Sequence, residues 1–278
     1  MKLCVLIPSY NSGPRLLETT VQGALAHWPD VWVIIDGSTD GSAAAAHRLA
    51  VKSPQLQVLE LTPNQGKGAA VRHGAIAARA AGFTHALTLD ADGQHPAEFI
   101  PRFAELAAAH GGAAVFGTPV FGPEAPALRI QGRKVSNSWA ALETLGWGIG
   151  DSLFGMRLYP LDELLTAMAS TAWARRFDFD PEMAVRLAWA GVPVAILPTP
   201  VRYLTRDEGG VSQFRYLRDN TLLTWMHFRL CLGFLRRLPA LLWRVAKGGN
   251  PAKVKDPKRS QFKNYRTDAA GDGSGSPS

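Results

Sequence analysis

An α/β fold, with a mostly parallel sheet flanked by helices, is predicted by three observations. Short, nearly continuous apolar runs alternate with stretches of helical periodicity. Each run ends in a cluster of Asp, Asn, Ser or Gly, and the helical stretches between runs are ten or more residues long. Such spacing calls for right-handed βαβ units.

Residues 2–7 form the first buried run, closed by Pro8, and Pro8 to Pro14 is turn chemistry. From Arg15, the positions Leu16, Leu17, Thr20, Val21, Ala24 and Leu25 trace one helical face. Residues 31–35 are a second strand, ending in Asp36-Gly37-Ser38-Thr39-Asp40-Gly41-Ser42, and an Ala-rich helix follows to about Val51. A third strand at 57–61 leads through Asn64-Gln65-Gly66-Lys67-Gly68 into another Ala-rich helix to Ala81. The fourth strand ends at Asp90-Ala91-Asp92-Gly93-Gln94-His95-Pro96. Beyond it come a helix carrying Phe99, Phe103 and Leu106, a strand at 113–116, and a Pro- and Gly-rich loop over 117–129. A helix over about 132–145, a short strand within 151–159, a helix at 183–189 and a strand at 193–197 complete the fold, with a polar loop at 205–213.

Charge divides the chain. Residues 1–215 hold 18 Lys and Arg against 19 Asp and Glu, whereas residues 216–259 hold 10 against Asp219 and Asp256. The net charge of +7 therefore belongs to one segment. Residues 216–247 combine Leu238, Leu241, Leu242 and Val245 on one face with Trp225, Trp243 and basic residues, the pattern of interfacial amphipathic helices. A C-terminal helix docked on the core, or a dimer contact, is the plainer alternative. Nucleic-acid binding is disfavoured, because the bulky residues form an apolar face rather than stacking platforms. Residues 1–215 are then one domain, 216–247 a membrane-interface segment, and 248–278 a disordered basic and Gly/Ser tail. No run reaches the ~18 apolar residues of a membrane span, and nothing resembles a signal peptide. Cys4 and Cys231 give no disulfide framework, so a cytoplasmic setting, peripheral on the inner face of the membrane, is expected.

Ligands of parallel sheets sit beyond the carboxyl ends of the strands. An isolated Asp-x-Asp is most simply a turn. Here four strand ends deliver Ser9-Tyr10-Asn11, Asp36 to Asp40, Asn64 to Gly68 and Asp90-Ala91-Asp92 to one edge, which favours a site. Asp90 and Asp92, one residue apart, suit a hard divalent cation, Mg²⁺ or Mn²⁺. A cation beside Gly-rich loops suggests diphosphate chemistry. Asp36 and Asp40 suit the hydrogen-bond donors of a base or ribose, and Lys67 suits a phosphate.

In order and spacing, Ile7-Pro8-Ser9-Tyr10-Asn11, Ile35-Asp36-Gly37-Ser38-Thr39-Asp40-Gly41-Ser42, Asn64-Gln65-Gly66-Lys67-Gly68 and Asp90-Ala91-Asp92-Gly93-Gln94-His95-Pro96 resemble the inverting family 2 glycosyltransferases of GT-A fold. The likeness is to their polyprenyl-phosphate mannose and glucose synthase branch, over residues 1–215. It implies a UDP- or GDP-sugar held by Pro8, Tyr10, Asn11, Asp36, Ser38, Asp40, Gly66, Lys67 and Asp90. It implies metal ligation around Asp90, Asp92 and Gln94. Arg133, Arg157 and Arg206 are implied to serve the phosphate-bearing acceptor. Two positions depart from the branch: Gly117-Thr118-Pro119 lacks its Arg, and Gln213 replaces its Lys. Both remove positive charge where an acceptor phosphate would lie. The acceptor therefore stays open between a polyprenyl phosphate, already a nucleophile, and a lipid hydroxyl needing a general base. Asp92 is the expected catalytic centre, with Glu182 or Asp180 as the candidate base. A sugar nucleotidyltransferase would need a first loop richer in Gly than Pro8 to Gly13, and a nucleotide-binding membrane adaptor would bind the donor without turning it over.

Overall fold

The computed structural model describes residues 1–122, 127–146, 148–202 and 216–248, without the side chains of 127–129 and 216. Arg206, Gln213 and the 249–278 tail lie outside the described residues. Seven strands form one sheet: β1 (Leu3–Ser9), β2 (Val31–Asp36), β3 (Leu56–Leu61), β4 (His85–Thr88), β5 (Ala114–Phe121), β6 (Arg157–Pro160) and β7 (Val194–Val201). Their spatial order is β3-β2-β1-β4-β6-β5-β7. All neighbours run parallel except β6, antiparallel to both β4 and β5. β1 is covered on both faces, which is why its residues read as an unbroken apolar run: Cys4 and Leu6 join one core layer, Leu3, Val5 and Ile7 the other.

The crossover helices are α1 (Pro14–His27), α2 (Ser42–Lys52), α3 (Lys67–Ala80), α4 (Ile100–Ala109) and α5 (Ala127–Glu143). They begin where the sequence turns from strand to helical period. α1 starts on Pro14, whose fixed φ and missing N–H suit the first helical position. α6 (Leu161–Ala169), α7 (Phe179–Ala190) and α8 (Tyr216–Ala246) follow.

Four expectations change. β5 runs on to Phe121, because its extension pairs with β7 through Phe121 and Val201, so the first five residues of the expected loop are strand. The expected strand within 151–159 is confined to β6, since residues 148–156 turn around Arg157 instead of pairing. α6, whose Leu161, Leu164, Ala167 and Met168 are buried, was not foreseen. The expected helix pair at 216–247 is one continuous helix with Pro239 inside it.

One face of α8 is docked on the core. Met226, Leu230, Phe234 and Leu241 are buried where α8 packs on α5 and α7, and each such burial is worth about 1.5–3 kcal/mol. Among the described residues no helix is long and apolar enough to cross a membrane.

Candidate active site

The carboxyl ends of β1, β2, β3 and β4 meet at one edge, where side chains tie their loops together. The Ser38 hydroxyl accepts from the Asn11 N–H at 3.1 Å, and Asn11 Oδ1 accepts from the Thr39 N–H at 2.8 Å. Asp40 accepts from the Gly13 N–H at 2.6 Å and from the Ser42 N–H and hydroxyl. Burial would raise the Asp40 carboxyl, but these Ser42 and Gly13 hydrogen bonds outweigh it and hold the group below its ordinary value. Asp36, buried at the end of β2, accepts from the Gln65 N–H (2.8 Å), the Gly66 N–H (2.7 Å) and Asn64 Nδ2 (2.8 Å). Asp36, Ser38 and Asp40 thus organise the loops. Beside these loops Pro8 is half-buried and Tyr10 is 39% exposed.

The Gly66-Lys67-Gly68 spacing has a packing cause. A Cβ on Gly66 or Gly68 would strike the backbone carbonyls of Arg175 and Ala174, so both glycines admit the segment leading into α7. Between them, Lys67 turns inward. Its ammonium lies 2.6 Å from Asp90 Oδ1 and 2.7 Å from Asp180 Oδ2. It therefore does not reach for a phosphate as a free cation; it locks the end of β4 to the start of α7. The two carboxylates raise its pKa despite the opposing effect of burial.

Gly155 packs directly over this pair, and a Cβ there would collide with Asp90 Oδ2 and Lys67 Nζ. The Asp90 N–H donates to His95 Nδ1 at 3.2 Å, and the His95 ring stands edge-on to Phe154 at 4.8 Å. His95, Phe154 and Gly155 line the cleft without having been picked from sequence. His95 lay within the Asp90 motif, and Phe154 and Gly155 lay within residues 151–157, which resemble the branch's acid–Ser/Gly–Phe–Arg segment.

Asp90, Asp92, Gln94 and Arg133 border one cleft of about 400 Å³. Asp92 makes no ion pair among the described residues, and its Oδ1 accepts the Gln94 N–H at 3.0 Å. Burial and the Asp90 charge push the Asp92 carboxyl up. Burial acts on Asp90 in the same sense, but Lys67 and His95 overcome it and hold Asp90 down. Of the three carboxylates Asp90, Asp92 and Asp180, the Lys67 ammonium pairs with Asp90 and Asp180 and leaves Asp92 without an ion pair among the described residues. No group of three or more His, Cys, Asp or Glu closes a metal cage among the described residues. Two carboxylates beside an open cleft fit a divalent ion that completes its shell with water and phosphate oxygens, as Mg²⁺ commonly does.

Arg133 makes a bidentate pair with Asp151, at 3.0 and 2.8 Å, and its guanidinium lies 5.7 Å from the Phe121 ring centroid. Burial alone would raise the Asp151 carboxyl, but Arg133 holds it down. Arg133 remains about one-fifth exposed and lines the cleft.

Two expected roles are corrected. Arg157 is fully buried and donates to the backbone carbonyls of Asp151, Ser152 and Asp180, so it braces the 151–152 turn instead of meeting an acceptor. Glu182 is fully buried, paired with Arg186 (2.8 Å) and Arg229 (2.8 Å), and held below its ordinary value by these arginines in spite of burial. A carboxylate so engaged is not placed to take a proton from an acceptor. Asp180 has one oxygen on Lys67, while its Oδ1 has no hydrogen-bond partner among the described residues.

Comparison with known proteins accords with this arrangement. A chain of Mycolicibacterium smegmatis, polyprenol monophosphomannose synthase, is 29% identical over 216 residues, covering 75% of this chain and 79% of the relative. An undecaprenyl-phosphate mannosyltransferase of Micrococcus luteus is 28% identical over 75% of this chain and 86% of its own. An undecaprenyl-phosphate 4-deoxy-4-formamido-L-arabinose transferase of Salmonella choleraesuis is 31% identical over 89% and 73% respectively. A solved mannosyltransferase of Pyrobaculum calidifontis, in complex with GDP-Man and Mn²⁺, has a TM-score of 0.53 at 19% identity, covering 97% of this chain and 86% of that one. Glucosyl-3-phosphoglycerate synthase of Mycobacterium tuberculosis, with Mn²⁺ and UDP-glucose, gives 0.55 at 18% identity over 84% and 79%. Both share the GT-A fold. The model of the family described as Glycosyl transferase family 2 matches residues 4–180, and the chain belongs to that family.

Proposed function

We propose that this glycosyltransferase moves a sugar from a nucleoside-diphosphate sugar, a UDP- or GDP-sugar, to a polyprenyl phosphate at the cytoplasmic face of a membrane. The observation that carries the reading is Asp92. It is a cleft-lining carboxylate without an ion pair among the described residues, beside the Lys67-paired Asp90 and with Arg133 lining the same cleft. The nucleotide lies along the loops tied by Asp36, Ser38 and Asp40. Asp90, Asp92 and Gln94 hold Mg²⁺ or Mn²⁺, which when bound neutralises charge gathering on the departing diphosphate.

The acceptor's phosphate oxygen attacks the anomeric carbon, the bond from that carbon to the diphosphate breaks, and the nucleoside diphosphate leaves with the electron pair. The resemblance implies inversion at that carbon. A phosphate acceptor needs no base, which agrees with the engagement of Glu182 elsewhere. Likeness to a polyprenol monophosphomannose synthase and to undecaprenyl-phosphate sugar transferases favours a polyprenyl phosphate over a lipid hydroxyl. Arg133 supplies the cationic contact that the missing Arg at 117–119 would have given. The exposed residues Trp225, Phe228, Leu232, Leu235, Leu242 and Trp243 of α8 support peripheral attachment to the bilayer surface.

The test is mass spectrometry of products from a panel of labelled nucleotide sugars incubated with total lipid extract and Mg²⁺ or Mn²⁺. A labelled glycolipid that disappears with chelator and in Asp92→Asn supports the reading. Undiminished transfer by Asp92→Asn overturns it.

A further inference from the structure

Away from the cleft, α7 and α8 enclose a groove of about 680 Å³ whose lining includes Arg186, Arg229, Arg236, Arg237, Trp189 and Leu232. Among the described residues no carboxylate lines it. Glu182 lies behind its floor and is consumed by Arg186 and Arg229, whose side chains are 14% and 13% exposed. Four guanidinium groups thus line the groove, two of them paired with the buried Glu182, and Arg236 makes no ion pair among the described residues.

The arginines are held in place. Arg237 lies over the Trp189 ring at 4.7 Å and donates to the Gly233 carbonyl, while Arg229 lies over Trp173 at 4.8 Å. The groove exists because position 233 is Gly: a Cβ there would come within 3.0 Å of Trp189 and partly fill its floor. Concentrated positive charge with preset planar donors is the chemistry of phosphate recognition.

What borders the groove selects among phosphate-bearing ligands. Along α8 the spacing separates three stripes. Met226, Leu230, Phe234 and Leu241 are buried; Trp225, Phe228, Leu232, Leu235 and Leu242 are exposed and apolar; Arg229 and Arg236 lie between them, and Arg237 sits exposed on the face that carries Leu230 and Phe234. Leu232 belongs both to the groove lining and to the exposed apolar stripe. A ligand with a phosphate at one end and hydrocarbon at the other matches both surfaces.

We propose that the α7–α8 groove binds the phosphate of an anionic phospholipid headgroup, a lipid site separate from the donor cleft; its occupant rests on the membrane attachment proposed above. The groove orients α8 on the bilayer, with its apolar stripe in the acyl region and its arginines at headgroup level.

The test uses the full chain. Thermal melting in inorganic phosphate is compared with chloride at matched ionic strength. Flotation with vesicles of phosphatidylcholine alone is compared with vesicles also containing phosphatidylglycerol. The groove variant is Arg236→Gln with Arg237→Gln. The control is Arg218→Gln with Lys247→Gln, an equal charge loss on the same helix outside the groove. The expected result is a phosphate-dependent rise in Tm that the groove variant loses. Its binding to phosphatidylglycerol vesicles should also weaken by about tenfold more than the control's, since a charged hydrogen bond is worth a decade or more. Should the double variant melt early for want of the Trp189 stack, Arg236→Gln alone reads the same difference.

Equal losses in the two double variants would show generic surface attraction and overturn the proposal. A phosphate-dependent Tm without any groove-specific vesicle effect would mean a free-phosphate site and overturn the lipid occupant. A native chain that floats with neither vesicle overturns the lipid occupant and the membrane attachment together. The glycosyl-transfer reading is judged separately, by product formation on detergent-dispersed acceptor.

Discussion

Replacing Glu182 with Gln removes the carboxylate that two arginines share in a fully buried position. If Glu182 is a structural anchor, the change strikes stability. The Arg186 and Arg229 side chains, 14% and 13% exposed, would keep their charge and lose their counter-ion. Breaking such a buried pair costs about 3–5 kcal/mol, and the amide retains one acceptor oxygen, so a value near ~3 kcal/mol is expected. For a chain of this size that is a fall in Tm of roughly 6–12 °C. Adding Arg229→Met should recover part of the loss, because the second change removes the stranded charge.

The pH dependence carries the same signature. The folded carboxyl is held below its ordinary value of 4.5, so its contribution is complete above about pH 4.5 and is lost as pH falls through the lower folded value. Glu182→Gln should flatten the acid limb of Tm against pH. The assays are thermal melting from acid to neutral pH and initial transfer rates at a temperature where both proteins are folded. A variant with unchanged Tm and abolished transfer would make Glu182 a base and refute the reasoning.

Gly155→Ala should lower kcat by about 100-fold while circular dichroism stays native, because the new Cβ displaces Asp90 and misplacements of about 1 Å have that effect. Asp36→Asn should raise KM for the nucleotide sugar about tenfold with kcat little altered, since one carboxylate organises Asn64, Gln65 and Gly66; titration of donor binding by calorimetry checks this. Arg133→Gln should raise KM for the acceptor by about tenfold or more and leave donor KM unchanged, as measured by initial rates with each substrate varied in turn.

The parallel half of the sheet was legible because buried strands and their crossover helices write period and punctuation directly into sequence. β1 to β4 and the helices between them were found where the apolar runs and Gly/Asp clusters put them. The antiparallel β6 was blurred, because the turn feeding it is shaped by the buried side chain of Arg157, the strand's own first residue. The length of β5 was hidden, since it depends on pairing with a strand some 80 residues later. α6 was passed over although Leu161, Leu164 and Met168 keep helical spacing and Asp162 and Glu163 occupy its first turn.

At the site, the convergence of Asp90 and Asp92 with the first three strand ends was readable from motif order. The partners were not. Lys67 looked like a phosphate ligand until Asp90 and Asp180 were seen around it. Glu182 looked like a base until two arginines, one of them on α8, were seen to hold it. Ion pairing across 47 residues leaves no local trace.

The most direct measurement supplies a labelled UDP- or GDP-sugar, Mg²⁺ or Mn²⁺, and either a polyprenyl phosphate or the corresponding polyprenol, and identifies both products. The account predicts a glycosylated polyprenyl phosphate with stoichiometric release of nucleoside diphosphate, and no product from the polyprenol. Transfer to the polyprenol at an equal rate, or release of pyrophosphate in place of the nucleoside diphosphate, would contradict it.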